Sequence, residues 1–441
     1  MKRTLLVFAA VAAILLAGSE PAAAANQRYI VRTTGGLSSV LRLCESANCQ
    51  VQGSLDGNMG QTYLVTSSQN LLANLLNPIL NLLESLLGIQ SVEPDQLLSI
   101  PGVPLQSAAA GLSETAPVNY YGTLVWNGYV NQPAAQIINL ATAQSSFQVS
   151  GTGIVADIDT GVDTTHPALM PVLLPGYDFT RNQPGASEWL DVSGAAPGMS
   201  SSGSQSTQTL FVQQSTAAVL DQSTAAVLDG GPYSDFGHGT MTAGLIHLAA
   251  PTAQILPLKA FSANGQGNLS NIIAALYYAV QQNAGVVNMS FDTTIPSPAL
   301  SAAIAHANQS GVVLVASAGN ENTSARVYPA ALNPNVMGIA STSDSDVKSS
   351  FSNYGSADVW IAAPGENVMS TYPGGTYASS SGTSFSCPLV TGTVALMLDA
   401  RGGVNQANAS AALAHAQRLT PNLNHGRLDV YQAVLFYLST R

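Results

Sequence analysis

The sequence predicts an α/β fold, in which a mostly parallel sheet carries helices on both faces, preceded by a small α+β unit. From about residue 118 onward, short continuous apolar runs alternate with longer helical segments. This is the pattern of parallel strands that are buried on both faces. Upstream of residue 101, shorter elements follow the order βαββαβ, which predicts a separate small sandwich.

Residues 26–105 form the predicted small unit. It contains an alternating strand at 28–32, a short helix at 37–44, strands at 49–55 and 61–66, a leucine-rich helix at 70–87 and a last strand at 91–100. Cys44 and Cys49 can pair at the helix-to-strand turn. The leucine-rich helix has almost no basic residues, which favours packing in a core or against a partner over lying on a membrane surface.

A stretch rich in proline, glycine, serine and alanine spans residues 101–117, and we interpret 106–117 as a linker that contains a maturation cleavage site. The larger unit is predicted to span residues 118–441. Its expected strands are 154–159, 255–259, 286–290, 312–316, 336–340 and 359–362. Its expected helices are 238–248, 269–282, 299–309 and the segment after residue 384.

Residues 189–231 interrupt this alternation with serine-rich sequence, and the octapeptide QSTAAVLD occurs there twice in tandem. Two copies are too few for a solenoid. A duplication in an exposed loop is the favoured interpretation, and a loop that contacts substrate is the alternative.

Residues 1–25 combine two basic residues, an apolar run and a small-residue end, as a secretory signal peptide does. The alternative, a membrane anchor, is disfavoured because the apolar run is too short to span a bilayer. The mature chain is therefore expected to be secreted into the medium or the periplasm, without a membrane segment. The formal net charge of −11 argues against nucleic acid as a partner. If Cys44 and Cys49 pair, the third cysteine, Cys387, has no partner in the chain. A buried thiol is the favoured interpretation of Cys387 over a nucleophile.

Three residue types with complementary chemistry stand at element ends. Asp159 ends an apolar strand, His238 opens a helix within a glycine-flanked turn, and Ser384 precedes another helix. Each alone is explained by capping. In parallel sheets, however, active groups gather at the carboxyl ends of the strands, so we expect all three at one edge. Asp157 is one pleat deeper and is interpreted as structural.

These side chains suit nucleophilic catalysis. A serine hydroxyl needs a base, an imidazole can take and return its proton, and a carboxylate fixes the imidazole tautomer. Asn320 follows a predicted strand, and its side-chain amide is expected to stabilise an oxyanion together with the backbone N–H of Ser384.

Four motifs in this order resemble the subtilisin family (subtilases): DTG at 159–161, HGTMTAG at 238–244, AGN at 318–320 and GTSFSCP at 382–388. The resemblance implies a serine endopeptidase that forms an acyl-enzyme intermediate, with Asp159, His238 and Ser384 as the catalytic triad and Asn320 in the oxyanion hole. It further implies that residues 26–105 are a propeptide that assists folding and inhibits the enzyme. Protein substrates, a monomeric state and no required cofactor are expected.

The resemblance also implies an extended substrate that adds as a strand between two edges. The residues at these edges are Gly265, Gln266, Gly267, Ser290, Phe291 and Asp292. Asp292 departs from the family, which usually has glycine there, and Glu321 adds negative charge nearby. Residues 248–254 are too few for the family's calcium loop. The acidic residues Asp344 and Asp346 lack a recognisable ligand spacing, so a structural calcium site is not identifiable and no metal ligand is assigned.

A different class of function is a catalytically silent fold that binds surfaces through the 189–231 insertion. It is disfavoured because all four expected catalytic positions carry competent residues. A lipase or esterase is excluded because no Gly-x-Ser-x-Gly motif surrounds Ser384.

Overall fold

The computed structural model describes residues 27–72, 87–100, 110–192, 218–219 and 233–440. The chain divides into two compact units, Met1–Asp95 and Gln96–Arg441.

The first unit is built on an antiparallel sheet in the order β2-β3-β1-β4. Its core joins Tyr29, Val31 and Val65 of the sheet to Val40 and Leu43 of the helix. Cys44 and Cys49 form a disulfide at the turn between α1 and β2. Most of the predicted helix 70–87 lies outside the described residues. The elements are β1 (Gln27–Thr33), α1 (Gly36–Ala47), β2 (Cys49–Ser54), β3 (Thr62–Ser67) and β4 (Ile89–Pro94).

The strand predicted at 91–100 is two strands. One is β4, and the other is β5 (Leu97–Ser99), which belongs to the second unit and pairs there with β13 (Gln266–Asn268). β4 ends at Pro94, and the N–H of Asp95 makes one further hydrogen bond to the carbonyl oxygen of Arg28 at 2.9 Å.

The second unit contains a sheet of eight strands in the order β10-β9-β12-β8-β14-β15-β16-β17. All neighbouring pairs from β9 to β17 are parallel, and only the edge strand β10 is antiparallel. The remaining strands are β6 (Pro117–Tyr120), β7 (Thr123–Trp126), β8 (Ile154–Asp159), β9 (Tyr177–Asp178), β10 (Gln183–Pro184), β11 (Ala218–Val219), β12 (Gln254–Lys259), β14 (Ala284–Met289), β15 (Val313–Ser317), β16 (Met337–Thr342), β17 (Ile361–Pro364), β18 (Val368–Tyr372) and β19 (Thr376–Ser380).

Helices pack against this sheet in two groups. Helices α5 (His238–Ala249) and α8 (Thr383–Ala400) pack against each other and against the sheet. Helices α6 (Leu269–Gln281) and α7 (Pro298–Gln309) form the second such pair. Consecutive residues of the central strands are buried, which requires cover on both faces and confirms the predicted α/β class. The helices are α2 (Asn127–Val130), α3 (Pro133–Ile137), α4 (Leu140–Phe147), α5 (His238–Ala249), α6 (Leu269–Gln281), α7 (Pro298–Gln309), α8 (Thr383–Ala400), α9 (Gln406–Leu413) and α10 (Val430–Ser439).

The predicted linker and insertion are described in part. Leu112 is buried in the main core of the second unit, so the end of the predicted linker 106–117 packs with that unit. Trp189, at the start of the predicted insertion, is buried against Phe236. Most of the tandem repeat lies outside the described residues.

Candidate active site

Asp159 and His238 meet where the last residue of β8 faces the first residue of α5. Nδ1 of His238 lies 2.7 Å from Oδ1 and 3.0 Å from Oδ2 of Asp159. Both side chains are buried. An ionised carboxylate only accepts hydrogen bonds, so the imidazole proton lies on Nδ1. Nε2 is left as an acceptor, and it has no hydrogen-bond partner among the described residues.

Two opposing effects set the protonation of this histidine. Burial disfavours the charged imidazolium, but the negative charge of Asp159 and its hydrogen bond outweigh burial and raise the pKa of His238 above its usual value. The site therefore stabilises the imidazolium that forms when His238 accepts a proton.

Ser384 is the second residue of α8 and is buried. Its hydroxyl donates a hydrogen bond to the backbone oxygen of Ser290 at 3.2 Å. The ring of Phe385 packs 5.3 Å from the imidazole of His238, centroid to centroid, which places the start of α8 beside the histidine. The structure thus brings the three predicted residues to one edge of the sheet.

The local backbone of α8 is explained by Pro388. Proline has no N–H, so the carbonyl of Ser384, four residues earlier, loses its normal helical partner. The hydroxyl of Ser290 donates to that carbonyl oxygen instead, at 2.9 Å. Ser290 and Ser384 are therefore tied by two hydrogen bonds that run in opposite directions.

Asn320 follows β15 and is held by Thr383. Its Oδ1 accepts hydrogen bonds from the backbone N–H and the hydroxyl of Thr383, both at 2.9 Å. With Oδ1 used as an acceptor on this side, the amide group of Asn320 has its N–H donors on the other side of the side chain. The residue next to Thr383 is Ser384.

A buried polar network underlies the site. Asp157 accepts hydrogen bonds from Asn288 and Thr242, both at 2.9 Å, and Asn288 also donates to the hydroxyl of Ser290. Burial and the neighbouring charge of Asp159 raise the pKa of Asp157. The network links the strand below Asp159 to the pair formed by Ser290 and Ser384.

Glu188 holds the start of α5 and is wholly buried. It accepts hydrogen bonds from the backbone N–H of Gly237 at 2.7 Å and from the hydroxyl of Thr240. The hydroxyl of Thr160 lies 3.4 Å from it and accepts from the N–H of Gly239. Burial raises the pKa of Glu188.

Glu188 and Asn288 were not predicted from the sequence. Glu188 adjoins the low-complexity stretch. Nothing in the sequence indicates that its side chain contacts the start of a helix almost fifty residues later. Asn288 lies within an apolar strand, where a single polar residue is a weak signal of a buried network.

Four of the predicted substrate-binding residues, Gly265, Gln266, Gly267 and Asp292, make main-chain contacts with the segment 97–100 of the same chain, whereas the side chains of Ser290 and Phe291 are buried. Ser99 pairs with Gln266, Leu98 pairs with Gly267, and the N–H of Ile100 donates to the carbonyl of Gly265 at 2.9 Å.

On its other side, Ser99 forms an antiparallel bridge with Asp292. The segment is thus an extended strand between the two predicted edges. Phe291 is buried and packs against Phe261, 5.1 Å between ring centroids.

Two further features bear on chemistry. Cys387 is a buried free thiol, and burial raises its pKa, which makes it a poor nucleophile. Within the described ranges, no group of three or more histidine, cysteine, aspartate or glutamate residues is arranged to hold a metal ion. Those ranges also contain no helix with the length and apolarity needed to cross a bilayer.

The chain is similar to known proteins over most of the second unit. Residues 151–431 match the family model described as "Subtilase family". The chain is 32% identical to thermitase of Thermoactinomyces vulgaris over 296 residues, 64% of this chain and 88% of that protein. It is 40% identical to subtilisin BL of Lederbergia lenta over 170 residues, 36% of this chain and 62% of that protein. The match to subtilisin BL thus covers less than two thirds of the length of subtilisin BL.

Solved structures give a similar result. The chain resembles a cold-adapted subtilisin-like serine proteinase with a TM-score of 0.50 at 29% identity, covering 64% of this chain and 89% of that one. It shares its fold with a lanthipeptide protease, with a TM-score of 0.54 at 22% identity, covering 69% of this chain and 95% of that one.

Proposed function

Since the chain belongs to the subtilase family of serine proteases, we propose that it is a secreted endopeptidase, made as a self-processing precursor, with Ser384 as its nucleophile. Proteins are the substrates that the family implies. The observation that carries the residue assignment is the orientation of His238: its Nδ1 is bound to Asp159, and its Nε2 accepts no hydrogen bond among the described residues.

The reaction follows from these groups. Rotation of the Ser384 hydroxyl away from the Ser290 carbonyl lets it donate to Nε2 of His238, which takes its proton as Oγ attacks the peptide carbonyl. Asp159 stabilises the imidazolium. The amide of Asn320 and the backbone N–H of Ser384 donate to the oxyanion. His238 then protonates the leaving amine, and water hydrolyses the acyl-enzyme through the same base.

Self-processing is supported by the segment 97–100, because a strand of the chain itself occupies the groove between Gly265 and Asp292. Cleavage within residues 101–117 would release a chain end on this strand. The N-terminal portion, residues 26 to about 105, would remain bound through that strand as an inhibitor, since main-chain pairing of this kind supplies affinity independent of sequence. No cofactor takes part in the proposed reaction, and the mature enzyme acts as a monomer.

Export rests on residues 1–25, whose basic start, apolar run and small-residue end are those of a signal peptide. N-terminal sequencing of the protein recovered from the medium and from the periplasm tests this step. A mature protein retained in the cytoplasm would contradict it.

The nucleophile is tested by comparing Ser384→Ala with Ser386→Ala. Both serines are buried in the first turns of α8, and the hydroxyl of Ser386 donates to the carbonyl oxygen of Ala363 at 2.9 Å. We expect the Ser384 variant to accumulate as uncleaved precursor and to resist labelling by a fluorophosphonate probe, whereas the Ser386 variant is processed and labelled. Labelling of the Ser384 variant would show that another residue is the nucleophile, and a wild-type protein that does not label would favour a silent binding module.

A further inference from the structure

Two carboxyl groups are buried next to each other at the end of β8. Asp157 and Asp159 are two residues apart on this strand, so their side chains point to the same face of the sheet. Asp157 is 3% exposed and Asp159 is 2% exposed. Among the described residues, neither forms an ion pair with a lysine or an arginine. Two ionised carboxylates at such a place would repel each other, so we expect one of them to keep its proton.

The hydroxyl of Thr242, on α5, lies between the two carboxyl groups. Its Oγ is 2.9 Å from Oδ2 of Asp157, 3.4 Å from Oδ2 of Asp159 and 3.1 Å from the carbonyl oxygen of Gly239. A hydroxyl has one proton to donate, which is too few for three acceptors. When Asp157 holds a proton, its O–H donates to Thr242, and the proton of Thr242 is free for Asp159 or Gly239.

The remaining hydrogen bonds indicate which carboxyl group keeps the proton. Asp159 Oδ1 accepts from the Nδ1–H of His238 at 2.7 Å and from the backbone N–H of Thr160 at 2.6 Å. Asp157 Oδ1 accepts from one such donor, the side-chain amide of Asn288 at 2.9 Å. Donated N–H groups stabilise a carboxylate, so the negative charge belongs on Asp159 and the proton on Asp157. Burial and the charge of Asp159 raise the pKa of Asp157, which agrees with this assignment.

Resting on the proposed peptidase function, we propose that Asp157 is a positioning residue that acts as a neutral acid: its O–H donates to Thr242, and the Thr242 hydroxyl donates to the carboxylate of Asp159. This chain of two hydrogen bonds gives Oδ2 of Asp159 a donor and holds the carboxylate in line with His238. Neither Asp157 nor Thr242 takes part in the proton transfer itself.

The charge of Asp157 decides how His238 titrates. In the described part of the chain, the titratable groups that surround Asp157 are Asp159 on its own strand, His238 on α5 and Cys387 on α8. Burial raises the pKa of the Cys387 thiol, so the thiol stays neutral. A neutral Asp157 adds no charge to the site, whereas an ionised Asp157 would favour the imidazolium and raise the pKa of His238.

The first test compares the wild type with Asp157→Asn, which replaces a neutral acid by a neutral amide of the same shape. The rate constant of fluorophosphonate labelling is measured against pH, because its acidic limb reports the titration of His238 without peptide binding. We expect the limb at the same pH in both proteins. If Asp157 is ionised at rest, the substitution removes a negative charge near His238 and moves the limb to lower pH by about one unit, which would overturn the inference.

Infrared difference spectra detect the proton of Asp157 directly. The wild type minus Asp157→Asn should show the carbonyl band of a protonated carboxyl group at neutral pH, and this band should disappear as the pH is raised. Other buried acids, such as Glu188, contribute equally to both spectra and cancel. A difference spectrum without this band at neutral pH would show that Asp157 is ionised and would overturn the inference.

Thr242 is tested with a matched pair of variants. Thr242→Val removes the hydroxyl and keeps nearly the same shape, whereas Thr242→Ser keeps the hydroxyl. Without this donor, the charge of Asp159 is less compensated and holds the imidazolium more tightly. We therefore expect the acidic limb to move to higher pH by about half a unit in the valine variant and to stay in place in the serine variant. A purely structural role of Thr242 would not move the limb.

The outcomes separate this inference from the proposed function. Absence of labelling in the wild type at every pH would overturn the proposed function and this inference with it. A wild type that labels, together with a shifted limb in Asp157→Asn or an unmoved limb in Thr242→Val, would overturn the inference alone. Labelling at alkaline pH shows that each variant is folded. If the valine variant does not label at any pH, the comparison with Asp157→Asn still decides.

Discussion

At the scale of single residues, the protonation state of the His238 imidazole controls catalysis. A general base must be neutral, and Asp159 raises the pKa of His238 in spite of burial, so the activity should increase with pH through a pKa above the usual histidine value. Asp159→Asn removes the charge and the acceptor that fix the Nδ1–H tautomer. We expect kcat to fall by a factor of the order of 10⁴ and the acidic limb of the profile to move to lower pH.

The measurement is the pH dependence of kcat/KM on a single peptide for wild type and variant. An acidic limb that stays in place in Asp159→Asn would show that another group carries the titration. Retention of wild-type kcat would remove Asp159 from the reaction altogether.

The proposed role of Asn320 depends on the N–H groups of its side-chain amide, which donate to the oxyanion. Replacement by alanine should lower kcat by about 10²–10³ with little change in KM, because an oxyanion forms only after attack. Asn320→Ala also leaves the N–H and hydroxyl of Thr383 without their acceptor. Thr383→Val removes one of those donors and keeps the amide of Asn320, so it serves as the control and should retain most of kcat. A rise in KM at constant kcat would assign Asn320 to substrate binding instead.

Elements were predictable from the sequence where one signal dominated. The strand at 154–159 and the helix at 269–282 are apolar runs with clear boundaries, and the structure has them as Ile154–Asp159 and Leu269–Gln281. Helix α8 begins at Thr383, just before the segment predicted to be helical, and it tolerates Pro388 because the hydroxyl of Ser290 donates to the carbonyl oxygen that the proline leaves without a partner. That compensation comes from a residue 94 positions away, which local sequence does not indicate.

The same limit applies to the site. The motifs placed Asp159, His238 and Ser384 at the ends of elements, and parallel topology explains why those ends meet. The residues that orient them were not predictable, since a buried Glu188 or Asn288 acquires its partners only from tertiary packing.

Glu188 gives the prediction for the helix α5. Glu188→Ala leaves the buried N–H of Gly237 and the hydroxyl of Thr240 without an acceptor, at a cost of about 1–3 kcal/mol for each group. We expect the free energy of unfolding to decrease accordingly in a Ser384→Ala background, which prevents self-digestion during urea denaturation. Asp344→Asn, at an exposed position, is the control for loss of one negative charge. Equal stability of the two variants would show that Glu188 does not hold the start of α5.

At the scale of the whole molecule, the chain supplies both the groove and a strand that fills it. The resemblance implied that an extended peptide adds between two edges, and the segment 97–100 of this chain pairs with residues of both edges. Its identity was not predictable, because the strand expected at 91–100 was assigned entirely to the small unit. Main-chain pairing with Gln266 and Gly267 decides where β5 belongs, and such pairing leaves no trace in side-chain periodicity.

The two leucines of β5 test whether this strand inhibits the mature enzyme. Leu98 is 2% exposed and Leu97 is 61% exposed, so adjacent positions with the same side chain differ mainly in burial. Leu98→Asp places a charge in an apolar site and should weaken the hold of the cleaved N-terminal portion by roughly tenfold to a hundredfold, whereas Leu97→Asp should have little effect. The measurement is the lag between disappearance of the full-length chain on a gel and the onset of peptide hydrolysis. A shorter lag in the Leu98 variant alone is expected; equal lags in both variants would show that β5 does not restrain the enzyme.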